Sequence, residues 1–222
     1  MVAALSVFVC LVVQQEVTLK RAYAVGEVYV YDVTSQIKIE GRDILVRARS
    51  VETTLSRDEK TATVEMSQTD AKAFVDKQEI PQPDRKTTST VNRSGRLIKI
   101  SGEAIDGDNY RRSGLLAFEA PPRPVKVGDE YSVRLRADSI LGIVDAEKKY
   151  KVERTETVLG KATLKLRCIA KELGGKKPIS MDQTLWIESS TGVMVKQSIQ
   201  FQNLPMINDL AVPGRMEFIL KE

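Results

Sequence analysis

The sequence predicts an all-β protein: two related antiparallel β units forming a curved sheet or half-barrel-like assembly, with one short linker helix. Three observations carry this reading. Apolar and polar residues alternate along most of the chain from residue 26 onward, the period-two signature of half-buried strands. The alternation opens twice on one motif, VGEVY at 25–29 and VGDEY at 127–131. Between the two copies, one stretch alone has helical character, and Ala120-Pro121-Pro122 stops it.

The elements follow in order. In the first unit, Tyr29, Tyr31, Val33, Ile37 and Ile39 share one parity, against Asp32, Thr34, Gln36 and Lys38. Strands are expected near 26–40, 43–56, 60–76, 85–92 and 95–101. The second unit repeats them near 129–141, 146–158, 161–172, 180–189 and 192–203, and a last strand covers 214–221. In the second copy Tyr131, Val133, Leu135 and Ala137 take the apolar parity. Ala62, Val64 and Met66 match Ala162, Leu164 and Leu166. The turns NRSGRLIKI (92–100) and SSTGVMVKQ (189–197) match through Gly95 and Gly192, because glycine accepts positive φ without a Cβ clash. The ordered recurrence indicates duplication. It divides the chain into a signal peptide and leader (1–24), a first β unit (25–101), a linker with the helix (102–124) and a second β unit (125–222).

Composition narrows the class. The 222 residues are 42% hydrophobic and 29% charged, ordinary globular values. Net charge is +4, and it is spread evenly. Residues 25–101 hold 13 basic and 12 acidic side chains, and residues 125–222 hold 16 and 13. No concentrated phosphate-neutralising surface results, so no nucleic-acid partner is expected. MVAALSVFVCLVV at the start is too short to span a bilayer and fits the apolar region of a secretory signal. The protein is therefore expected to be exported: periplasmic, in the cell envelope, or secreted. Val9 before Cys10 departs from a lipidation site, which wants a small residue there. Without the leader, Cys168 is the one remaining thiol, so no internal disulfide is expected and stability rests on the core.

Few residues suggest chemistry. There is no histidine, which removes the commonest general base and zinc ligand. Ser35 and Lys38 match the S-x-x-K pattern of serine acylases, but on a strand, residues three apart face opposite sides. Asp106-Gly107-Asp108-Asn109 is rich in oxygen ligands. Tyr110 and Ala117 stand where a calcium loop needs a further ligand and a glutamate, so a turn capping the helix through Asp108 or Asp106 is expected. Asn92-Arg93-Ser94 is a formal glycosylation sequon read as a turn. Cys168 shares its parity with apolar neighbours and reads as a core residue. Arg134, Arg136, Lys149, Lys151, Lys165 and Arg167 fall on outward parities, where they form either a basic band for anionic surfaces or a solvated face interleaved with Asp138, Glu147 and Glu153. Leu115, Leu116 and Phe118 make an apolar stripe on the linker helix. They are the candidate ligand-binding residues, as a lid over an apolar concavity; the alternative is a plug of the sheet core.

The signal-like start, the V-G-[DE]-x-Y openings and the x-G-x-[LM] returns resemble exported bacterial β-proteins of uncharacterised function, and among characterised proteins the LolA- and LolB-like lipoprotein carriers. That resemblance implies a half-barrel over an apolar cavity and a carrier function. The chain departs from the carriers in having one short helix and an internal repeat. The expected function is non-catalytic binding of a lipid or acylated protein in a concavity, with peripheral contact to membrane or envelope and with no cofactor or metal. A structural or adhesive envelope module is the alternative, and a carboxylate hydrolase the third reading.

Overall fold

The computed structural model describes residues 16–76, 78–102, 106–205 and 210–221. The apolar run and Cys10 lie outside the described residues. Twelve strands and one helix follow in the order β1 (Val28–Ile39), β2 (Arg42–Arg57), β3 (Thr61–Val75), β4 (Gln78–Pro81), β5 (Arg85–Asn92), β6 (Leu97–Gly102), α1 (Gly107–Leu116), β7 (Glu130–Leu135), β8 (Ala146–Val158), β9 (Lys161–Glu172), β10 (Ser180–Glu188), β11 (Met194–Pro205) and β12 (Ala211–Leu220). They form one open, curved antiparallel sheet in the order β6-β5-β3-β2-β1-β12-β11-β10-β9-β8-β7, with the short β4 paired to β3. Each unit is a meander, and the pairing of β1 with β12 joins the two into one sheet.

The repeated motif is built the same way in both copies. Gly26 N–H donates to the Thr54 carbonyl at 2.9 Å, and Gly128 N–H to the Val152 carbonyl at 2.8 Å. Thr54 and Val152 N–H return bonds to the Glu27 and Asp129 carbonyls. Both glycines have positive φ, 81° and 94°. The ladder that follows has one register: Tyr29 stands opposite Glu52, and Tyr131 opposite Tyr150. Position three after the glycine therefore faces the same side in each copy.

The units also reach into one another. Val17 and Val125, each in the segment leading into its unit, exchange two backbone hydrogen bonds at 2.8 and 2.9 Å. The return turn of the first unit receives the second unit's lead-in: Ala120 N–H bonds the Ser94 carbonyl at 2.7 Å, and Gly95 lies against the Phe118 carbonyl with no room for a Cβ. The return turn of the second unit receives the first unit's lead-in, because a Cβ on Gly192 would lie 2.7 Å from the Arg21 nitrogen. Residues 16–24 are thus part of the packed body, with Leu19 in the core.

The core sits on the inner face of the second unit. Ser35, Met216, Ile199, Gln183, Cys168, Tyr150 and Tyr131 stand side by side in one row across seven strands. The next row runs Ile37, Gly214, Phe201, Met181, Ala170, Lys148 and Val133. Gly214 has no side chain because the Gln36 carbonyl and the Phe201 ring fill its space.

Four details differ from the sequence reading. Strand β4 is additional. β7 ends at Leu135 instead of 141, because the Asp138 carboxylate turns the chain by accepting the Ile140 and Leu141 N–H groups. Ala162 is exposed, since it stands beside the β8–β9 turn beyond the core. Met66 is exposed because the helix packs on β6 and β11 and leaves that part of the first unit uncovered.

Gly192→Ala should cost about 1–3 kcal/mol, through positive φ and collision with backbone. Gly160→Ala, also at positive φ but facing open space, should cost about 1 kcal/mol. Urea unfolding of the two variants compares them directly.

Candidate functional site

Helix α1 is weak in isolation. Its ten residues, GDNYRRSGLL, include two glycines, and a helix this short does not hold in water alone. Asp106 starts it by accepting the Asn109 N–H at 2.9 Å. Tyr110 ties it to the sheet edge: its hydroxyl donates to the Ile100 carbonyl at 2.9 Å and accepts the Ile100 N–H at 3.1 Å, filling the place of a neighbouring strand. Arg111 makes two bonds of 2.8 Å to the buried Glu172 and one of 2.7 Å to Asp108. These carboxylates raise the Arg111 pKa above its ordinary value, the hydrogen bonds to Glu172 contributing most and burial opposing them.

The C-terminal end points into the core, where its carbonyls need partners. Polar side chains of the sheet supply all of them. Lys148 Nζ donates to the Gly114 and Ala117 carbonyls, each at 2.9 Å. Gln183 Nε2 donates to the Leu115 carbonyl at 2.9 Å, and Gln197 Nε2 to the Leu116 carbonyl at 3.2 Å. A bond of 2.7 Å from Gln197 to Gln183 Oε1 links the two amides. The third donor position of Lys148 faces Glu119 Oε1 at 2.7 Å, and the two side chains are 0% and 2% exposed. Arg96 holds the other Glu119 oxygen at 2.8 Å. A cation at a helix C-terminus also opposes the negative end of the macrodipole.

Around this ion pair lies an aromatic shell. Tyr131 and Tyr150 stack with centroids 4.6 Å apart, and Phe118 meets Tyr150 edge-on at 6.0 Å. The Tyr131 hydroxyl donates to the Glu119 carbonyl at 3.0 Å, and the Tyr150 hydroxyl accepts the Glu119 N–H at 3.3 Å. Burial lowers the Lys148 pKa, and the Glu119 carboxylate opposes that. Burial pushes the Cys168 thiol up to about 12, with Lys148 opposing. Burial likewise raises the Tyr150 phenol. With all three Lys148 donor positions occupied and the thiol protonated, the cluster offers neither a free base nor a thiolate.

Beside the helix is a cavity of about 130 Å³. It lies between the two edge strands of the open sheet. Leu97 and Ile98 of β6 and Leu135 of β7 line it together with Leu115, Ile143 and Val144. Arg111 and the exposed Arg96 and Arg136 also border it.

Of the three sequence candidates, Leu115 lines this cavity and is 1% exposed, within the core. Leu116 and Phe118 are half-buried and pack against the same core. The basic band is interleaved with acids: Lys149 with Glu147, Lys151 with Glu130, Lys165 with Glu153, Arg167 with Asp182, and Arg134 near Asp145. Asn92 turns the chain by accepting the Ser94 and Arg96 N–H groups. Sequence reasoning missed Lys148, Glu119, Glu172, Gln183 and Gln197. Four of them carried a readable signal, a polar residue on the apolar parity of a strand, as in Ala146, Lys148, Tyr150, Val152.

No family model matches the chain, and no curated protein matches it. Among solved structures it is similar to the hypothetical lipoprotein YmcC from Escherichia coli K12, with 15% identity, coverage of 88% of each chain and a TM-score of 0.35.

Lys148→Met should destabilise the protein by about 3–5 kcal/mol, because Glu119 is left buried without its main counterion. Adding Glu119→Gln should recover part of the loss; urea unfolding of both variants measures it. In a Cys10→Ser background, Cys168 should resist thiol reagents at pH 8 until the protein unfolds.

Proposed function

We propose that this is a non-catalytic exported protein that holds the apolar end of an anionic amphiphile, such as a fatty acyl chain, at the seam between the two edges of its sheet. The observation that carries the reading is the cavity between β6 and β7, with aliphatic walls and Arg96 and Arg136 exposed beside it. Its volume of about 130 Å³ falls below the range of about 300–1,000 Å³ of pockets that enclose a drug-sized ligand. The site is suited to the end of one chain, with the polar head outside and beside the arginines. Helix α1 serves as its fixed wall, since the four carbonyl bonds at its C-terminus oppose a lid-like swing. Export is supported by the apolar N-terminal run, and the lack of catalysis by the saturated Lys148 and protonated Cys168.

A structural envelope module is the second reading. It is favoured by the filled core of the second unit and the charge-paired outer face of β8–β10.

A short fluorescent fatty acid separates the two. Binding is expected for the parent protein, blocked by Leu135→Trp, which fills the cavity, and weakened about fivefold by Arg136→Glu at low salt. The matching long-chain alcohol should be insensitive to Arg136→Glu. Absence of binding by the parent at millimolar ligand would leave the structural module.

A further inference from the structure

Ala22-Tyr23-Ala24 has the small-x-small form that a leader peptidase recognises, and a cut after it would fit a leader that ends at residue 24. The structure gives these residues another task. The Val17 N–H and carbonyl both bond Val125. Two positions on, Leu19 is 1% exposed and packs in the core. Arg21 also turns inward. Its guanidinium lies over the rings of Tyr23 and Tyr29, 4.6 and 4.9 Å from their centroids. Nη1 stands 2.5 Å from Glu52 Oε1, and Nη2 stands 3.9 Å from Glu27 Oε2. Among the described residues, Arg21 is the one cation that pairs with either glutamate. The Arg21 and Glu52 side chains are each 14% exposed. Removing residues 17–24 would therefore empty the place of Leu19 in the core and leave Glu52 largely buried without its cation.

The bond that such a cut would break belongs to a repeated turn. The Ala24 carbonyl accepts the Glu27 N–H at 3.0 Å, as the Lys126 carbonyl accepts the Asp129 N–H at 3.1 Å. Each turn holds its glycine, Gly26 or Gly128, at positive φ and hands the chain to β1 or β7. In the second copy this turn lies in the middle of the chain, with its lead-in always attached. The lead-in of the first copy is built into the body to the same degree, because it bonds the second lead-in and packs on the Gly192 turn.

We propose, resting on the reading that the chain is exported, that the mature protein keeps residues 17–24 as a strap and that processing of the leader falls upstream of Val17. The step is a hydrolysis. A processing peptidase adds water across one peptide bond before Val17, leaving a carboxylate on the leader and a new amine on the body. A cut after Ala24 would instead place the new amine on Val25, inside the turn, and would detach Leu19 and Arg21 from the sites they fill. Ala22-Tyr23-Ala24 is then a surface stretch of the strap, with both alanines exposed and the tyrosine half-buried.

The test follows the full chain, tagged at its C-terminus, through export from a bacterial host. Mass spectrometry of the exported protein should find an N-terminus at or before Val17, and Ala24→Leu should leave it unchanged. Trypsin reads the strap independently of export. In the purified full chain, the bonds after Lys20 and Arg21 should be cut on the order of 100-fold more slowly than in the urea-unfolded chain, because cleavage follows the open population. Leu19→Ala should speed both cuts at least ~10-fold by loosening the strap from the core. An exported protein that begins beyond Val17, as at Val25, would overturn the proposal. Cutting of the native chain after Lys20 or Arg21 at the unfolded rate would overturn it too. Protein that never leaves the cytosol would refute export instead, and trypsin then decides the strap alone.

Discussion

The buried end of helix α1 is the constraint on which the rest of the structure depends. A ten-residue helix with two glycines does not persist by propensity, and its last carbonyls point at the interior of a sheet. An unsatisfied buried carbonyl costs about 1–3 kcal/mol, so several together approach the whole stability of a domain, about 5–15 kcal/mol. Lys148, Gln183 and Gln197, from β8, β10 and β11, remove that cost. Because the helix is fixed there, the linker that follows is fixed as well. It delivers Glu119 to Arg96 and Ala120 to Ser94, binding the second unit's lead-in to the first unit's last turn.

The same linker explains why the two halves of the sheet make one body. The first unit has a thin interior of its own: apart from Ile100, its buried apolar residues are the small Val30, Ala62, Val64, Ala71 and Ala73, and the larger Tyr31 and Ile37, which pack in clusters with second-unit residues. The large buried residues lie mainly in the second unit. Strand pairing of β1 with β12, the Val17–Val125 bridge and the reciprocal seating of the two return turns therefore carry the first unit. The sheet remains open, and its free edges β6 and β7 meet the helix instead of each other. The seam cavity is the space left by that arrangement, and Tyr110 covers part of the β6 edge that would otherwise invite pairing.

Much of this was legible in the sequence, for a physical reason. Period-two alternation is dictated by burial of one face, so Tyr29, Leu164 and Leu166 announced their strands. Gly95 and Gly192 announced turns at positive φ, and of the two acids expected to cap the helix, Asp108 or Asp106, it is Asp106 that does so. The inner position of Cys168 followed from its neighbours. The polar half of the site was harder. Lys148 and Glu172 read as ordinary surface charges unless their parity is weighed, and their partners, the Gly114 carbonyl and Arg111, lie 34 and 61 residues away in the chain. Gln183 and Gln197 also stand on the apolar parity of their strands, but they answer backbone carbonyls, so nothing in the sequence names their partners. Strand β7 is shorter than the alternation suggests, because apolar Ile140 and Leu141 continue the look of a strand while the Asp138 turn that ends it depends on hydrogen bonds.

The central question about this fold is whether α1 is a fixed part of the core. Native-state hydrogen exchange measures this residue by residue. The Ala117 N–H, bonded to the Ser113 carbonyl, and the Ala120 N–H, bonded to the Ser94 carbonyl, should exchange only through global unfolding, with the same denaturant dependence as amides of β9 and β10. Exchange of these two amides through a local opening several kcal/mol below that of the strands would show a movable helix and contradict the account.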